Sequence, residues 1–145
     1  MEPGSGKVEG SSLVSWLVNN SYYSLITSAT ADSEVIFARL GANDPDFNLR
    51  SEPAMIMRQS GKDHVFASVL ETHGYFNEEF EQSVNARGLV ESVNVVADTD
   101  DGTVVRIQTT TGNTYHFGIS NRAEDAQQLE HTVEEFSWTG SFAKI

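Results

Sequence analysis

Hydrophobic and polar positions alternate along much of this chain. Tyr115, Phe117 and Ile119 interleave with His116, Gly118 and Ser120, which places the first three on one face of a strand as core candidates. Val93, Val95 and Ala97 stand against Asn94 and Asp98 in the same way, as do Phe136 and Trp138 against Glu135 and Ser137. Val65, Phe66, Ala67, Val69 and Leu70 form a nearly continuous apolar run, the pattern of a central strand covered on both faces. Strands are expected at 13–18, 22–30, 34–40, 54–59, 64–71, 89–98, 103–110, 113–120 and 131–139, with a final piece from Ser141. A short helix fits only 122–129, which holds good helix formers. The pattern predicts an all-β, antiparallel β-sandwich of nine or ten strands, a single domain over 13–145. Residues 1–12 read as a linker or vector-derived residues.

Turn chemistry orders these strands. Asp100-Asp101-Gly102 and Thr111-Gly112-Asn113 each supply a glycine that tolerates positive φ between two β runs, which predicts a three-stranded meander over 89–120. Ser60-Gly61-Lys62-Asp63 predicts a hairpin joining 55–59 to 65–70. Longer connections are expected at 41–53 and 74–88.

Composition narrows the function classes. The 145 residues are 39% hydrophobic with no cysteine, and the mean hydropathy is -0.32. One buried core is affordable at this length, while disulfides and thiolate chemistry are excluded. A formal net charge of -12 disfavours nucleic acid, which needs a basic footprint. Other polyanions are admitted only at a local basic patch. No apolar run is long enough for a membrane helix, and the first seven residues are not a secretory signal. Neither nucleic acid nor membrane is an expected partner.

Candidate chemistry is sparse. Glu71 and His73 lie two apart at an expected strand end and share a side, a placement that suits acid/base work or metal binding and equally a polar strand end before a loop. The four histidines show no metal-ligand spacing. Asp98, Asp100, Asp101 and Gly102 lack the remaining ligands of a calcium loop and read as a solvated turn. No nucleophile elbow surrounds any serine, and Gly4-Ser5-Gly6-Lys7 follows no expected strand, so it is no phosphate loop. No cofactor or metal is expected. Trp16, Trp138, Tyr22, Tyr23 and Tyr75 suit sugar stacking, although aromatics in β runs ordinarily belong to cores; Tyr75 and Phe76 are the surface candidates. Arg39, Arg50, Arg58 and Lys62 gather in one stretch, where guanidinium groups suit a carboxylate-bearing sugar or a neighbouring domain. Their ordinary alternative is pairing with Asp44, Asp46 or Glu52.

Three strings carry a family resemblance: Ser15-Trp16-Leu17-Val18-Asn19, Ala42-Asn43-Asp44-Pro45-Asp46-Phe47-Asn48-Leu49-Arg50-Ser51-Glu52-Pro53-Ala54 and Phe66-Ala67-Ser68-Val69-Leu70-Glu71-Thr72-His73-Gly74. Over roughly 12–120 the chain resembles the carboxy-terminal β region of heparinase II/III-like lyases, nearest to oligoalginate lyases of polysaccharide lyase family 17. The resemblance implies a bacterial, periplasmic or secreted parent enzyme with an α/α toroid ahead of stacked β layers. Such an enzyme abstracts the C5 proton of a uronic acid and eliminates the 4-linked sugar. The asparagine, histidine and tyrosine that act there come from elsewhere in such enzymes, and no stretch here matches their motifs. The resemblance therefore implies a non-catalytic accessory domain that packs on the remaining domains of the lyase or lines its cleft. Arg50, Arg58, His73 and Tyr75 are its candidates for docking or substrate contact. The alternative is an autonomous carbohydrate-binding module for acidic polysaccharide.

Overall fold

The computed structural model describes residues 4–41, 51–122 and 129–145, with only the backbone of Ser51. Thirteen strands and no helix occur among them, so the all-β antiparallel expectation holds. The first sheet comprises β1 (Gly4–Lys7), β4 (Glu34–Gly41) and β5 (Ser51–Arg58) in the order β1-β4-β5. A second, ordered β2-β3-β6-β7, uses β2 (Gly10–Val18), β3 (Ser21–Ala29), β6 (Ser68–Asn77) and β7 (Gln82–Val84). The third is the expected meander of β8 (Val90–Asp98), β9 (Gly102–Thr109) and β10 (Thr114–Ser120), edged by β13 (Phe142–Lys144). β11 (Glu130–Val133) and β12 (Phe136–Thr139) form a separate hairpin.

Two apolar clusters hold the layers together. Ile26 and Val69 of the second sheet meet Val93, Val105 and Ile107 of the third. Ser11 fastens the same pair of sheets, its Oγ accepting from the Val93 amide and donating to the Val93 carbonyl, both at 3.0 Å. On the opposite face of the third sheet, Ala97 and Val104 pack against Val133 and Trp138 of the hairpin. Val35 and Phe37 of the first sheet line one cavity with Ser12 and Val14 of the second. The first sheet thereby covers one end of the remaining face of the second.

Local chemistry explains the turns. Asn19 and Asn20, at φ 47° and 63°, join Val18 to its register partner Ser21; two positive φ values are what a two-residue hairpin demands, and asparagine tolerates them. Gly112 has the positive φ expected of it, at 83°. Gly102 does not, and its role is different. A Cβ there would lie 2.7 Å from the Trp138 ring, and one on Gly118 would lie 2.5 Å from it. The two glycines leave a notch in the third sheet that the indole fills.

Several expectations are corrected. Ser60–Asp63 make no hairpin, because β5 pairs with β4 and β6 with β3; the chain crosses there from the first sheet to the second. The apolar run 65–70 is not doubly covered: Phe66 and Leu70 are exposed, Leu70 at 62%. Residues 74–88 are not a plain connection, since β6 runs on through Gly74 and β7 returns beside it. The expected strand 131–139 is a hairpin broken at Glu134, φ 53°. Gly4–Lys7 and Gly10–Ser12, placed in the linker, are strand residues: the first four pair with Glu34–Phe37, and the others pair with β3. Of the core candidates on β10, Tyr115 and Phe117 are half-buried and Ile119 is exposed. The apolar partners of the second sheet lie on β8 and β9. The helix expected at 122–129 lies almost wholly outside the described residues.

Candidate functional site

The face of the second sheet that buries Ile26 and Val69 continues along its strands as Ser24 and Glu71, then as Tyr22 and His73, by direct register. Polar groups thus replace apolar ones at one end of the interlayer space. Glu71 and His73 share a side, as their spacing predicts, but they do not bond to each other. The Glu71 carboxylate accepts from the amides of Leu89, 2.6 Å, and Val90, 3.0 Å, and so ties the start of β8 to β6. A Cβ on Gly88 would meet that carboxylate, so the glycine leaves room for the clamp.

His73 is equally engaged. Nδ1 lies 3.0 Å from the Asn85 carbonyl oxygen, which only accepts, so Nδ1 carries the proton. Nε2 is then the acceptor for the Ser24 hydroxyl at 2.7 Å, and Ser24 in turn accepts from Ser15 at 2.7 Å. With the imidazole neutral, the direction of every bond in this Ser15, Ser24, His73, Asn85 chain follows from its last member. Ser24 is 1% exposed, and Tyr22 stacks over the imidazole with ring centroids 6.1 Å apart. Tyr22 also bonds Ser83 of β7 at 2.6 Å. In this state neither Nε2 nor the Ser24 hydroxyl is free to take a substrate proton.

The other sequence candidates lie apart. Arg58 forms an ion pair with Glu34 across β4 and β5, and that guanidinium, followed by a hydrogen bond from Ser5, holds the Glu34 carboxyl below its ordinary range. Arg50, and Asp44 and Asp46 as the alternative partners expected for the basic cluster, fall outside the described residues. Tyr75 is exposed on β6 opposite Ser21, and the Phe76 amide bonds the Asn20 carbonyl at 2.8 Å. Asp98 accepts from Thr103 at 2.6 Å, and Asp101 pairs with Arg122; these carboxylates organise the turn. Trp138 is core and Trp16 is exposed.

Ser15, Ser24 and Asn85 were not singled out by sequence. Period two does place Ser15 on one side of β2 and Ser24 on one side of β3, but only the β2, β3, β6 register brings them to His73.

The fold and this site define an all-β domain whose acid/base candidates are built into its hydrogen-bonded framework. Over 135 residues the chain is 32% identical to an alginate lyase of Stenotrophomonas maltophilia. Over 138 residues it is 30% identical to an exo-oligoalginate lyase of Saccharophagus degradans. Each match takes in 91% of this chain but only 18% and 19% of the relative's length. No family model matches the chain.

Proposed function

We propose that this chain is a non-catalytic β-sandwich domain of an alginate lyase, of the heparinase II/III-like kind grouped in polysaccharide lyase family 17. Similarity across 91% of the chain to proteins several times longer is the observation that carries the reading. The site supports it. β-Elimination needs a base at C5, an acid at the glycosidic oxygen and a neutralising group at the carboxylate, whereas Glu71 and His73 are spent on backbone amides, a backbone carbonyl and a buried serine. The domain's work is to hold the remaining domains of the lyase in place. The test is to follow unsaturated uronate by ultraviolet absorbance when the purified chain meets oligoalginate. No product is expected, and deleting the corresponding segment from the Stenotrophomonas lyase is expected to lower its stability or turnover. Product formed by this chain alone and abolished by His73→Ala, or a deletion without effect, would sink the reading.

One observation favours a second reading, a surface for sugar. Trp16, Tyr23 and Tyr75 fall on the same face of the second sheet by register, with Trp16 and Tyr23 centroids 5.9 Å apart. Calorimetric titration with oligoalginate and with a neutral glucan decides it: heat with either, lost in Trp16→Ala and Tyr75→Ala, is the expected signature, and silence with both removes it.

A further inference from the structure

Every open sheet edge must be protected or used, because its unpaired amides and carbonyls form a template for another strand. Five of the six edges in the larger sheets carry a protective device. β1 has four residues and ends in Lys7, and β13 has three and includes Lys144. β7 has three residues beside Glu81. β5 carries Glu52, Pro53 and Arg58. The remaining edge of the third sheet, β8, carries Glu91 and Asp98 and two register shifts, so it too is blunted.

β2 has none of these. It is nine residues of Gly-Ser-Ser-Leu-Val-Ser-Trp-Leu-Val, without charge or proline, and it pairs with β3 along its whole length in unbroken register. Among the described residues its main chain has partners on β3 alone. Leu13, Trp16, Leu17 and Val18 are all exposed, Leu13 at 60%. Residues 10–31 hold no charged side chain, in a chain of net charge -12. Elsewhere the approach of a second copy is opposed by like charge; here it is not.

We propose that β2 pairs antiparallel with β2 of a second copy, making one eight-stranded sheet from the two four-stranded ones. A two-fold axis through Ser15 sets Leu13 opposite Leu17 and Val14 opposite Trp16 of the other copy. Apolar side chains then meet apolar ones on both faces. An axis through Val14 would instead put Leu13 against Ser15 and Trp16 against Ser12. The contact is isologous, so it closes at two copies rather than growing a fibre. Beside it lies a groove of about 550 Å³ lined by Val14, Trp16, Val18, Leu25, Phe37 and Met55, which takes the apolar side chains on that face of the partner strand. The inference stands apart from the lyase reading.

The experiment is light scattering on the purified chain across a dilution series. A mass of two 15.9 kDa chains is expected. Leu13→Lys with Leu17→Lys puts lysines opposite each other and should give monomers, as should Leu13→Glu with Leu17→Glu; an equimolar mixture of the two variants should recover the dimer. The axis is tested separately by Ser15→Cys, the sole thiol in a chain with no cysteine. Facing residues of an antiparallel pair stand about 4.5–5.5 Å apart at Cα, within disulfide range. Mild oxidation should link two Ser15→Cys copies and leave Ser60→Cys unlinked. A wild-type monomer throughout the series would overturn the proposal. A dimer indifferent to both charge variants and to Ser15→Cys would overturn it as well.

Discussion

Replacing Gly118 by alanine tests whether the Trp138 notch governs the stability of the third sheet. The added Cβ would sit 2.5 Å from Cδ2 and 2.6 Å from Cε3 of the indole, far inside the 3.5–4.0 Å at which carbon atoms attract. Neither side yields cheaply. β10 is held by β9 along seven residue pairs and by β13 on its other edge. The indole is 4% exposed, with His131 stacked at 5.2 Å and Val104 and Val133 around it. Overpacking of this kind costs about 1–3 kcal/mol. Trp138→Ala, which empties the notch, should cost more, about 3–5 kcal/mol. The two effects share one contact, so Gly118→Ala combined with Trp138→Leu should cost less than the sum of the single changes. Urea unfolding measures all of this through the midpoint at constant slope. A Gly118→Ala midpoint equal to wild type, or strict additivity in the double variant, would refute the argument that the glycine exists to admit the ring.

The Glu71 clamp gives a second expectation. Glu71→Gln keeps the shape but presents one carbonyl oxygen and a donor to two backbone amides, so one amide is left facing an N–H; a loss of about 1–3 kcal/mol and faster hydrogen exchange at Leu89 and Val90 should follow. The Glu34 ion pair gives a pH dependence with a defined sign. Its carboxyl is held below the ordinary value by Arg58 first and then Ser5, so its contribution is present above the unfolded carboxylate range and is lost as pH falls through the folded value. Wild type and Glu34→Gln should therefore differ in urea midpoint near neutrality and converge in acid, and a gap that widened on acidification would contradict the assignment.

Alternation and turn chemistry made the meander legible, because β8, β9 and β10 are neighbours both in sequence and in space. The same reasoning misplaced the run 65–70. Its residues are apolar enough for a central strand, yet a strand's partner is set by register across the whole chain, and nothing local to Ser60–Asp63 states that β6 belongs with β3. Gly102 was correctly singled out for the wrong reason, since a positive φ and a close ring leave the same letter in the sequence. At the candidate site, Glu71 and His73 were legible as a pair on one side. Their roles were not, because the groups that occupy them come from β2, β3 and the 85–90 segment. The surface position of Tyr75 followed from its place after Gly74, whereas the exposure of Trp16 depended on how far the first sheet extends over the second.

The first sheet's placement in the chain bears on how the molecule assembles. β4 and β5 lie between β3 and β6 in sequence, so Thr27 and Ser68, which share a 2.8 Å hydrogen bond, are separated by 41 residues. Joining them closes a long loop, at an entropy cost that grows slowly with length. The β4, β5 hairpin tethers the middle of that loop locally, while the β8, β9, β10 meander needs only near neighbours. Refolding followed by pulsed hydrogen exchange should protect the amides of β9 and β10 first and those linking β3 to β6 later. The junction of β3 with β6 is then the last large pairing to close, whereas β2 reaches β3 across the two-residue turn at Asn19 and Asn20 and needs no distant partner.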